Sequence, residues 1–166
     1  MTYLYLKSLL WLLLLSGCNN NEDTPTTMTN ENTTPTTQST QFVNVTKVKT
    51  SGSENNYNFS ITIHSSDTGC DQYANWWEVI TVEGDLLYRR ILAHSHVDEQ
   101  PFTRSGGPVK IATDQMVWIR AHMNTIGYGT KVFKGSIKEG FVEVENPTDF
   151  AKDLANQEPL PGDCAW

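Results

Sequence analysis

YNFSITIHS, residues 57–65, decides the fold class. Tyr57, Phe59, Ile61 and Ile63 fall on one side of an extended chain, and Asn58, Ser60, Thr62 and His64 on the other. That is the period of a strand buried on one face. Working outward, FVNVTKVK (42–49) repeats the alternation through Val43 and Val45, with Val48 out of phase. Downstream, NWWEVITVE (75–83) leads into the turn Gly84-Asp85, and residues 86–96 run back as a fourth strand. A loop over 95–107 ends at Gly106-Gly107-Pro108, which marks a reversal before the short strand VKIA (109–112). MVWIRAHM (116–123), KVFKGSI (131–137) and FVEVE (141–145) complete the strand set, separated by TIGYG and by Glu139-Gly140. One segment reads as helical: Asn146-Pro147 suits a helix start, and Phe150 and Leu154 are four apart on one face. The pattern predicts an all-β sandwich of seven to eight strands with a short C-terminal helix.

The N-terminal residues set the expected compartment. Lys7 precedes the apolar run LLWLLLL (9–15), too short to span a bilayer, and Leu15-Ser16-Gly17-Cys18 follows directly. This order resembles the lipobox of bacterial lipoproteins. The resemblance implies a signal over 1–18, lipidation of Cys18 by acyl chains such as palmitate, and a membrane partner reached through that lipid. Asn19 after the cysteine implies, by the Gram-negative sorting rule, the outer membrane. Residues 19–41 are rich in Thr, Asn and Pro and almost free of apolar side chains, the composition of a disordered tether. Residues 42–166 are then one domain. With Cys18 acylated, Cys70 and Cys164 remain, and an exported chain with an even pair predicts a disulfide between them. The formal charge is −7. An acidic chain has no general attraction for nucleic acid, so none is expected as a partner.

VWIRAHMNTIGYGTKVFKGS (117–136) resembles the last two strands of fibronectin type III domains, through Ile119-Arg120-Ala121 and then Asn124, Gly127 and Gly129. The resemblance implies a fibronectin III- or immunoglobulin-like sandwich in which strands 86–96 and 116–123 flank strand 75–83 in one sheet.

Two sites follow from that placement. His94-x-His96, with Glu99 in the loop and His122 on the flanking strand, offers imidazole and carboxylate ligands suited to zinc, copper or iron. Alternation also assigns Tyr88, Arg90, Trp118 and Arg120 to an outward face. Aromatic and arginine side chains of that kind dominate protein interfaces and stack on sugars, so the face suits a protein or glycan partner. No Gly-x-Ser-x-Gly elbow, phosphate loop or His-Glu-x-x-His motif occurs, so no catalytic residue is assigned. The expected function is a binding or interaction module, with a metal-binding or metal-dependent protein as the alternative.

Overall fold

A computed structural model describes residues 40–165. The signal expected over 1–18 lies outside them, as does all but the last two residues of the tether expected over 19–41. The described chain forms nine strands: β1 (Val43–Ser53), β2 (Asn56–Ser65), β3 (Ala74–Thr81), β4 (Leu86–Ile91), β5 (Phe102–Val109), β6 (Val117–Met123), β7 (Gly127–Tyr128), β8 (Lys131–Ser136) and β9 (Gly140–Glu145). They make two antiparallel sheets. One has the order β1-β2-β5, and the other β4-β3-β6-β8-β9, with β7 paired to β6. The chain is therefore an all-β sandwich, and β4 and β6 flank β3, the neighbour order that the resemblance of residues 117–136 implied.

The core lies between the sheets. Phe59, Ile61 and Ile63 of β2 meet Trp77 and Val79 of β3 and Ile119 and Ala121 of β6, all buried. Val48 is out of phase in the sequence because β1 shifts register between Val45 and Lys47. One extra residue in a bulge returns an apolar side chain to the core side.

Nine strands stand where seven to eight were predicted. Of the strand expected at 109–112 only Val109 belongs to a strand, as the last residue of β5, and both β5 and the two-residue β7 are new. Two further expectations are corrected. The loop over 95–107 is a 3-10 turn, Val97–Glu99, followed by β5, whose FTRSGGPV pairs with β2 from Ile63–Phe102 to Tyr57–Val109. Two glycines and a proline disguise this strand in the sequence. Gly106 is needed there: a Cβ would sit 2.5 Å from the Tyr88 hydroxyl. The predicted C-terminal helix is likewise replaced by turns and a short 3-10 segment, Lys152–Asn156. Asp149 and Ala151 take left-handed backbone angles, φ 65° and 47°, which interrupt any continuous helix.

Arginine side chains capture the carbonyls of this segment instead. Glu78, 0% exposed, sits on the outer face of β3 between Arg89 of β4 and Arg120 of β6. The Arg89 Nε and Nη2 donate to Glu78 Oε2 at 2.8 and 2.6 Å, and the Arg120 Nε donates to Oε1 at 2.8 Å. The remaining guanidinium N–H groups point at the tail. Arg120 donates to the Phe150 and Ala151 carbonyls at 2.7 and 2.8 Å. Arg89 donates to those of Leu154, Gln157 and Pro159 at 2.6, 2.5 and 3.1 Å. The tail thus covers the outer face of the larger sheet. A disulfide joins Cys70 to Cys164, with Cα atoms 5.6 Å apart and a sequence separation of 94. In the chain-entropy model a loop of that length stabilises by about 4–5 kcal/mol.

Removing one member of a buried charge set leaves the others uncompensated. Glu78→Ala is expected to destabilise by about 3–5 kcal/mol. Lys131→Ala, which breaks the exposed 3.0 Å pair with Glu143, should cost less than about 1 kcal/mol. Urea unfolding midpoints of the two variants check the contrast.

Candidate functional site

Beyond β4 the chain turns into the segment 92–100, and its geometry is set by Asp67. The buried Asp67 carboxylate accepts from the Ser65 hydroxyl at 2.7 Å and from the Ala74 N–H at 2.9 Å through Oδ1, and from the His96 N–H at 2.9 Å through Oδ2. Gln100 closes the turn, donating to the His96 carbonyl at 3.0 Å and accepting from the Ser65 N–H at 2.9 Å. Leu92 enters the core, and the Ala93 carbonyl accepts from the Ala165 N–H at 2.6 Å.

His96 is consequently buried. Its side chain is 1% exposed and stacks on Phe102 at 3.8 Å, with the rings 8° apart. Neither ring nitrogen has a hydrogen-bond partner among the described residues, and neither does the Ser95 hydroxyl. The exposed His94 ring lies 4.6 Å from that of His96. A pocket of about 420 Å³ opens here, lined by His94, Ser95, His96, Val97 and Asp98, with Gly69 and Ala165 beside the disulfide. A smaller recess of about 150 Å³ shares His94 and His96 and is bordered by Arg90 and Arg104. Arg104 Nη2 donates to Glu99 Oε2 at 2.6 Å, which holds the Glu99 carboxyl below its ordinary range.

His122 is not brought to this pair. It faces outward from β6, opposite Trp76 in the register. Its ring stacks on that of Trp76 at 3.6 Å, and its Nδ1 is 2.7 Å from the Asn75 side-chain oxygen. The metal set expected from His94, His96, Glu99 and His122 is therefore divided. Glu99 pairs with Arg104, and His122 belongs to the layer of Trp76, Arg89 and Arg120. Among the described residues no group of three or more His, Cys, Asp or Glu side chains is placed to hold a metal ion.

The expected aromatic and arginine face is also divided. Trp118 lies opposite Ile80, and Arg120 opposite Glu78, on the outer face of the larger sheet. Tyr88 and Arg90 lie opposite Val79 and Trp77, on the side facing the other sheet. Tyr88 packs against Trp77 at 5.5 Å, while Arg90 is exposed at the sheet's edge. Arg120 is only 1% exposed, and Trp118 is half-buried against Phe150 at 5.3 Å. The alternation assigned Arg90 outward, which leaves its neighbour Arg89 on the opposite face. The structure reverses the two, because Glu78 on β3 holds Arg89 on the outer face.

Electrostatics follow burial. Desolvation, with the Arg104 and His94 charges, lowers the His96 pKa to about 4. Desolvation, with the Arg89 and Arg120 charges, lowers that of His122 to about 3. Burial and the Glu78 carboxylate raise the Tyr128 phenol to about 12, and the Arg120 guanidinium lies 3.5 Å from the Tyr128 ring centre. Both histidines are neutral near pH 7, so one nitrogen of each ring donates and the other accepts.

The chain is similar to a protein of Halomicrobium mukohataei, a halophilic archaeon, named "Putative lipoprotein", with 45% identity over 71 residues. The match covers 43% of this chain and 35% of that protein, so it spans about a third of the relative's length. No protein-family model and no solved structure matches.

Both histidine values lie below the unfolded value of about 6.5. The unfolded chain therefore binds more protons than the folded one beneath that pH, and stability is lost as the pH falls. Between pH 6.5 and 5 the two rings together should remove up to about 2.7 kcal/mol per pH unit. Urea melts across that window check this, and a flat profile would contradict the burial of both rings.

Proposed function

We propose that this chain is a lipid-anchored, extracytoplasmic binding module whose site is the pocket at His94–Glu99. The observation that carries the binding reading is His96. Its ring is sealed from solvent and lines a pocket of about 420 Å³, with both nitrogens unpartnered among the described residues. Buried polar groups without partners are uncommon, and in a pocket they mark where a ligand's polar atoms fit. The volume of about 420 Å³ and the mixed lining of Val97, Ala165 and polar side chains suit a small organic ligand.

The anchor rests on Leu15-Ser16-Gly17-Cys18 and is supported by the name of the archaeal relative. The Cys70–Cys164 disulfide suits an oxidising compartment. The outer-membrane placement rests on Asn19 alone, and the anchor does not depend on it. The order β1-β2-β5 against β4-β3-β6-β8 supports a fibronectin III-like topology, with β9 as an added edge strand.

The anchor is tested by Cys18→Ser. The wild-type chain should fractionate with membranes and gain the mass of its acyl chains, and the variant should do neither. A variant that stays membrane-bound overturns the anchor. The pocket is tested by titrating a set of small organic fragments into the full chain and following the histidine ring resonances. Bound fragments should shift His94 and His96 and leave His64 unmoved. Val97→Arg, at a position 49% exposed on the pocket wall, should abolish the shifts without loss of folding. If no fragment moves His94 or His96, or if Val97→Arg changes nothing, the pocket is not a binding site.

A further inference from the structure

The smaller recess beside the pocket has an uneven charge lining. Its lining residues are Arg90, Ile91, Leu92, Ala93, His94, His96 and Arg104, with no carboxylate among them. The chain as a whole carries −7, so a recess whose charged lining residues are Arg90 and Arg104 stands against the prevailing charge. Arg90 is exposed and makes no hydrogen bond or ion pair among the described residues. Arg104 already holds one carboxylate, that of Glu99, but the pair is 27% and 59% exposed. Pairs so open to water contribute little, so an arriving anion can displace Glu99. The buried His96 ring is part of the same lining, without a hydrogen-bond partner among the described residues and with its Nδ1 4.0 Å from the Asp67 carboxylate. Guanidinium N–H groups recognise planar carboxylate and phosphate oxygens by paired hydrogen bonds.

From this we infer that the site takes a small organic anion, its carboxylate or phosphate group held between Arg90 and Arg104 and its uncharged body in the larger pocket. His94 and His96 line both spaces, which places them side by side. Val97 and Ala165 supply apolar wall for the body of the ligand. This inference rests on the pocket being a binding site and adds the ligand's charge.

Benzoate, phenyl phosphate and benzyl alcohol share one ring and differ in head group, so titrating each into the full chain separates the readings. At least one anion is expected to bind roughly tenfold or more tightly than the alcohol, and the tighter of the two identifies carboxylate or phosphate as the preferred group. Arg90→Gln should weaken that anion about tenfold and leave the alcohol unchanged. Glu99→Gln, which releases Arg104, should tighten the anion severalfold, a gain that general damage to the fold cannot produce. If the alcohol binds as well as the anions while still shifting His94 and His96, the charge preference is overturned and the pocket stands. If neither the anions nor any neutral fragment shifts those resonances, the pocket falls with it.

Discussion

The carboxylate of Glu78 is the constraint on which much of the described structure depends. A negative charge at 0% exposure is costly unless both oxygens are matched. Here each oxygen receives a guanidinium from a neighbouring strand, at 2.8 Å or less. The arginines in turn have more donors than Glu78 has lone pairs, and they use the surplus on five carbonyls of the C-terminal segment. One acidic residue in the middle of β3 thereby fixes how residues 150–159 lie. It also turns what would be a solvent-facing sheet into a second buried layer, with Trp76, His122 and Tyr128 packed around the guanidinium groups.

That layer explains what was and was not legible in the sequence. The strands of the sandwich could be read because their inner faces obey the simple rule: Phe59, Ile61 and Ile63 in, and polar neighbours out. Residues 74–80 of β3 are buried on both faces, and no alternation marks which side of such a strand is the core. Glu78, with no motif around it, gave no sign that it would be central. The signal that was present lay in the pair Arg89-Arg90. An arginine in phase with Leu87 and Ile91 conflicts with a purely apolar face, and the conflict marks a buried ion set. Strand β5 was hidden for a different reason. Ser-Gly-Gly-Pro has the composition of a turn, yet its Ser105 and Gly106 pair with Ser60 and Phe59 of β2, and Tyr88 fills the space a side chain at Gly106 would need.

The candidate site was legible in place but not in composition. His94 and His96 do sit at the end of the sheet, at a pocket. His122 was expected beside them from strand order, and strand order alone fixes neighbours to one step of about 4.8 Å without fixing which face each side chain takes. His96 leaves the sheet after β4, follows the Asp67 carboxylate and turns inward onto Phe102. His122 stays on β6 and faces the arginines. Two histidines that look equivalent by spacing are separated by a turn that only a buried aspartate could dictate.

Asp67 has one more consequence. Its two oxygens tie the end of β2, the start of β3 and the backbone of His96 to a single buried group. The wall of the pocket is therefore assembled by folding alone. A rigid wall gives up little conformational entropy when something docks, so more of each contact's energy reaches the affinity. The same stiffness narrows the choice of guest, because a wall that cannot yield selects by shape as strictly as by charge.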